Sequence, residues 1–203
     1  LSADVRDAEQ VEKLIDSVAE TLGRHDVLVN NAGGAPFAEA ATASPRFSEK
    51  VIQLNLTSAL HCAQHANRIM QKQESGGSIV NITSVSGVRP SPGTAAYGAA
   101  KAGLINLTGT LAIEWAPKVR VNAISAGLIQ TEQAHLHYGD EEGISRVADT
   151  VPLKRLGTAG DVAGACVFFA SSLAAYVSGA NLVLHGGGET PAFLSAASVN
   201  RGE

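Results

Sequence analysis

Four short, almost unbroken apolar runs, each separated from the next by a stretch with helical spacing, constrain this chain more than any other feature. They are Asp26-Val27-Leu28-Val29-Asn30, Ser78-Ile79-Val80-Asn81-Ile82, Val119-Arg120-Val121-Asn122-Ala123-Ile124 and Asn181-Leu182-Val183-Leu184. A strand with one face in water alternates apolar and polar residues, so a continuous apolar strand must be covered on both faces. The intervening stretches supply that cover. Val11, Leu14, Ile15, Val18 and Leu22 recur at helical spacing over 8–22, ahead of Gly23, and helices are also expected over 45–73, 97–115 and 160–173. Strand and helix in strict succession predict an α/β fold built on a doubly wound parallel sheet. Ligands of such sheets bind at the carboxyl ends of the strands, near the switch in strand order.

A length of 203 residues fits one domain spanning 1–203. Lys and Arg number 15 against 19 Asp and Glu, a balance of −4 that lacks the basic footprint of a nucleic-acid binder. Charged residues make up only 17% of the chain, which points to surface buried against another subunit. Cys62 and Cys166 form no CxxC and no disulfide framework, and both read as small buried hydrophobes in helices. No apolar run reaches the ~18 residues of a membrane span, and the first residues resemble neither a signal nor a transit peptide. The expectation is a cytoplasmic protein that binds neither membrane nor nucleic acid.

The strand ends carry the polar candidates. Asn30-Asn31-Ala32-Gly33 follows the first run, Thr83-Ser84 the second, and Ala126-Gly127-Leu128-Ile129-Gln130-Thr131 the third. Small residues there let a ligand approach the backbone, although Asn, Gly and Ser are common in ordinary turns. Tyr97 and Lys101 are sharper, because residues four apart on a helix share a face. An ammonium beside a phenol favours the phenolate, and a phenol so tuned serves as acid or base toward a hydroxyl or carbonyl. Ser84, thirteen residues before Tyr97, is placed to hydrogen-bond the same oxygen.

The ordered set Asn-Asn-Ala-Gly, Asn55, Ser84, Tyr97 and Lys101 resembles the classical short-chain dehydrogenase/reductase family over nearly the whole chain. The resemblance implies a Rossmann-like domain and an oxidoreductase that transfers a hydride between NAD or NADP and a secondary alcohol or ketone. A 3-oxoacyl or hydroxyacyl compound is favoured on family frequency alone. It makes Tyr97 the acid/base, Ser84 the group that polarises the substrate oxygen, Lys101 the residue that lowers the tyrosine pKa and holds the nicotinamide ribose, and Asn55 the anchor of a water. Asp4 and Val5 would lie at the adenine, and Asn31, Ala32 and Gly33 along the cofactor. Gly127, Ile129 and Thr131 would lie on its carboxamide and phosphate side. Residues 130–157 are expected to form a lid, with Ser86, Gln133 and His135 as substrate contacts beside His137 and Tyr138. A homotetramer is the implied assembly, a dimer the alternative.

Two features depart from the family's pattern. Its Pro-Gly after the sixth strand reads Ala126-Gly127 here, which relaxes a fixed φ. No G-x-G-x-x-G turn occurs in the chain, and Gly186-Gly187-Gly188 has the wrong spacing and position. The family's Gly-rich turn and first β-α units would precede Asp4, so a preceding segment of roughly 50 to 60 residues is expected. The contrasting reading is a non-catalytic member that keeps only a scaffold or interface role. Glu132, His135, His137 and Asp140 read as a polar lid rather than a metal site. Ser84 and Ser86 lack the G-x-S-x-G elbow of a hydrolase. The small-residue face Ala99, Ala100, Gly103 and Leu107 fits either core packing or a subunit contact.

Overall fold

The computed structural model describes residues 1–198. It begins with α1 (Ala8–Leu22), capped by the Asp7 carboxylate and ended by Gly23 at φ 75°. Strand β1 (Val27–Asn30) leads to α2 (Pro45–Ile52), which starts at Ser44 with Pro45 in the first turn. A π-helical turn, Gln53–Thr57, runs straight into α3 (Ser58–Met70). Then follow β2 (Gly77–Ser84), a 3-10 turn (Val85–Gly87), α4 (Ala95–Glu114) and β3 (Val119–Ala126). The chain continues through α5 (His135–Tyr138), α6 (Glu141–Thr150) and α7 (Ala159–Ala170), which opens on a Thr158/Asp161 capping box. A 3-10 turn (Ser172–Ala174), β4 (Asn181–Leu184) and α8 (Ala192–Ala196) complete it.

All three strand pairings are parallel, in the order β1-β2-β3-β4. Alternation along β2 sends Ile79 to one face and Val80 to the other. Ile79 and its register partner Val121 pack with Ala63, Ala66 and Met70 of α3 and Leu111 and Ala112 of α4. Val80 and Ile124 pack with Phe169 of α7 and Ala174. Helices therefore cover both faces, which is why the strands read as unbroken apolar runs. Among the described residues no helix is long and apolar enough to cross a membrane.

Three expectations change. The order runs β1 to β4 without reversal, so these four strands contain no switch point, although the polar candidates do lie at their carboxyl ends. The helix expected over 45–73 is interrupted by the π turn, where one extra residue shifts the following face. The segment 130–157, expected as a lid without assigned elements, holds α5 and α6, the latter capped by Asp140.

Candidate active site

Ser84 is the last residue of β2 and pairs with Ala126, the last of β3. Its Oγ accepts the Ser86 N–H at 3.1 Å, which starts the 3-10 turn. Two glycines then allow α4 to lie against that turn. A Cβ on Gly87 would sit 2.8 Å from backbone atoms of Lys101 and Ala102, and one on Gly98 2.8 Å from the Ser86 carbonyl oxygen. Tyr97 is thereby brought to Ser84. Burial raises the Tyr97 phenol above its ordinary value, and a hydrogen bond with the Ser84 side chain acts in the opposite direction.

Lys101, one turn along α4, is 4% exposed. Its Nζ donates to the Ile82 carbonyl at 2.9 Å and lies 5.6 Å from the centroid of the Tyr97 ring. Burial lowers its pKa to about 8. The expectation that Lys101 draws the tyrosine pKa down is not met in the chain by itself. The ammonium lies over the ring rather than at the hydroxyl, and burial of the phenol outweighs what favours ionisation.

Asn55 sits on the π turn and is fully buried. Its Nδ2 donates to the carbonyls of Gly34 and Val51 at 2.8 and 2.9 Å, and its Oδ1 accepts the Gly34 N–H at 2.8 Å. The amide therefore clamps the turn after β1 and keeps one acceptor lone pair for a water. Gly33 completes the packing: a Cβ there would meet Asn55 Oδ1 at 2.7 Å and Lys101 Nζ at 3.1 Å.

The structure gathers Val5, Asn31 and Ala32 around one hollow of about 140 Å³ beside β1, with Leu14, Ile15 and Cys62 in its floor. Asp4 is exposed and bound through both carboxylate oxygens to Arg6, which holds its pKa down at about 2. Gly127 donates to the Leu184 carbonyl at 2.8 Å, and a Cβ there would lie 2.8 Å from His185 Cα. Ile129 bridges to Gly157, while Thr131 is exposed. A dinucleotide fits this donor set. Lys101 has three N–H groups and one acceptor among the described residues, and a Cβ on the exposed Gly33 would lie 3.1 Å from its Nζ.

Ser86 is drawn into a hydroxyl network, donating to Ser91 Oγ at 3.0 Å while Thr94 Oγ1 donates to the same atom at 2.8 Å. Gln133 and His135 are exposed, and the His135 ring bonds the Glu132 carbonyl, so the structure does not gather them with Ser84 and Tyr97. Of Gln133, His135, His137 and Tyr138, only Tyr138 is partly buried. Among the described residues no three of His, Cys, Asp and Glu are grouped to hold a metal ion.

Two buried polar chains escaped the sequence reading. Asn30 donates to Asn81 at 2.8 Å, and Asn81 to Thr108 of α4 at 2.9 Å. Thr83 and Ser125, near the carboxyl ends of β2 and β3, and Asn181, the first residue of β4, are linked at 2.7 and 2.8 Å. Their signal was a polar residue inside an otherwise apolar strand, which is stable only when hydrogen-bonded.

A family model described as Enoyl-(Acyl carrier protein) reductase matches residues 1–189. L-rhamnose 1-dehydrogenase (NAD(P)(+)) of Azotobacter vinelandii is 38% identical over 188 residues, covering 92% of this chain and 73% of that protein. 3-oxoacyl-[acyl-carrier-protein] reductase of Synechocystis sp. is 38% identical over 189 residues, with 92% and 74% covered. The ligand-free structure of Thermoplasma acidophilum aldohexose dehydrogenase superposes with a TM-score of 0.87 at 31% identity, with 92% of this chain and 76% of that one covered.

Proposed function

The chain belongs to the classical short-chain dehydrogenase/reductase family and is an NAD(P)-dependent oxidoreductase, and from that premise we propose that it interconverts a secondary alcohol and its ketone at Ser84, Tyr97 and Lys101. The observation that carries the proposal is the meeting of the Ser84 hydroxyl and Tyr97 phenol at the carboxyl edge of the sheet, with a buried ammonium one helical turn below. When bound, the nicotinamide supplies or accepts the hydride. The chain supplies binding, orientation and the proton.

In the reductive direction Ser84 donates a hydrogen bond to the substrate carbonyl and polarises it. Tyr97 then gives its phenolic proton to that oxygen, and in the oxidative direction takes it back. A phenol raised by burial is protonated at neutral pH, as a general acid must be. Lys101 would hold the ribose, and Asn55 fixes the Asn31–Gly34 turn that flanks the cofactor. Val5, Asn31 and Ala32 would line the adenosine side, with Asp4 at the adenine. Gly127, Ile129 and Thr131 would line the nicotinamide side. Residues 130–157 would close over the substrate.

The relatives divide on the substrate, a 3-oxoacyl thioester for the Synechocystis protein and a sugar for the Azotobacter protein. A panel of both kinds, offered with NAD(H) and NADP(H) and followed at the nicotinamide absorbance, tests the proposal. Turnover of at least one secondary alcohol or ketone is expected. Nucleotide binding without turnover across the panel would leave only the scaffold role. The assembly we propose is a homotetramer of a cytoplasmic protein, in keeping with the apolar face of α7 and β4 and with two free thiols.

A further inference from the structure

Five residues beyond Ser84 the chain places Arg89, and five residues beyond Leu184 it places Glu189. Ser84, Ala126 and Leu184 form one row across β2, β3 and β4, so both segments leave the same edge of the sheet on either side of β3. They meet in an ion pair between the Arg89 guanidinium and the Glu189 carboxylate.

Each partner is held from behind. The Arg89 N–H donates to the Val85 carbonyl at 3.0 Å, and Nη1 to the Pro90 carbonyl at 3.0 Å. On the other side, Gly188 N–H donates to the His185 carbonyl and Thr190 N–H to the Thr150 carbonyl, both at 3.0 Å, which ties the tail to the end of α6. Tyr138 of the lid is close enough to feel both charges: beyond the effect of burial, Glu189 raises its phenol and Arg89 lowers it. The same loop after β2 carries the linked hydroxyls of Ser86, Ser91 and Thr94. The Nε of Arg89 is buried and has no hydrogen-bond partner among the described residues.

This wall is neither apolar nor of one charge. A guanidinium already paired with a carboxylate has little net attraction for an anion, and a long acyl chain would leave every polar group along it unanswered. A substrate with several hydroxyls would answer them, because each hydroxyl both donates and accepts. It would donate to the carboxylate and exchange bonds with the phenol and the serines. We infer that the Arg89–Glu189 pair, with Tyr138, is the specificity-determining wall of the substrate pocket and selects a polyhydroxylated alcohol or its ketone. The inference rests on the Ser84–Tyr97 reading of the reaction centre.

The test compares kcat/KM for a pentitol, an aldohexose, cyclohexanol and a 3-hydroxyacyl thioester on the wild type, Arg89→Leu, Glu189→Gln and Arg89→Lys. The wild type is expected to prefer the polyhydroxylated substrates. The ratio of pentitol to cyclohexanol should fall about tenfold or more in Arg89→Leu and Glu189→Gln, through KM rather than kcat, with partial recovery in Arg89→Lys. A wild type that prefers cyclohexanol or the thioester overturns the inference. So does a ratio that stays put while all substrates fall together, the mark of a merely structural strap. Absence of turnover with every substrate overturns the Ser84–Tyr97 reading itself, a result distinct from both.

Discussion

Lys101 is a buried cation whose only acceptor among the described residues is the Ile82 carbonyl, and its cost has a definite pH dependence. Burial lowers its pKa from 10.5 to about 8, so below pH 8 it is charged in both folded and unfolded chains and the full penalty applies. Between pH 8 and 10.5 the unfolded chain binds the extra proton, and wild-type stability recovers by about 3 kcal/mol. Lys101→Met removes the charge and leaves the Ile82 carbonyl without its donor, a loss of about 1–3 kcal/mol that partly offsets the gain. The variant is therefore expected to be no less stable than wild type at pH 7, to lose that standing as pH rises to 10, and to lack turnover. Urea unfolding at both pH values checks this. A variant less stable at pH 7, with no trend in pH, would contradict the burial argument.

At the scale of elements, Asn55 shows how the π turn is used. The turn places an amide against both sides of the Gly34 peptide, a clamp across 21 residues of sequence. Asn55→Ala strands the Gly34 and Val51 carbonyls and the Gly34 N–H, an expected loss of about 2–3 kcal/mol in urea unfolding. Nucleotide affinity should weaken with it, as read by fluorescence titration. An unchanged affinity would show that the clamp serves folding alone.

Much of this level was legible in the sequence. The apolar runs gave all four strands, because strands buried on both faces leave no polar residues to blur the pattern. The Val11–Ile15 stripe and Gly23 gave α1 to the residue. The π turn was not legible, since Gln53–Thr57 keeps helical spacing and composition and only the Gly34 contact reveals the extra residue. Spacing singled out Ser84, Tyr97 and Lys101 as candidates, but not the raised Tyr97 pKa, because burial depends on elements distant in sequence. The Arg89–Glu189 pair was invisible for the same reason: it joins residues 100 positions apart.

For the whole molecule, the low charge has a place on the surface. Val167, Phe168, Leu173, Leu182 and Val183 of α7, β4 and the turn between them are exposed large apolar residues at the β4 edge of the sheet. Patches of this kind mark contacts with other chains, and the occupant we propose is a second copy of the same chain. Light scattering is expected to give a homo-oligomer, and Val167→Glu with Leu173→Glu to halve its mass without changing the far-ultraviolet circular dichroism. A monomeric wild type would contradict this.

The central claim is that Tyr97 moves the proton at a nicotinamide-dependent carbonyl site, and one substitution tests it most directly. Tyr97→Phe keeps the ring over Lys101 and removes only the hydroxyl beside Ser84. Turnover of the best substrate is expected to fall by about 10²–10⁴-fold while the nucleotide Kd stays within about twofold of wild type. A variant that turns over within tenfold of wild type would contradict the account.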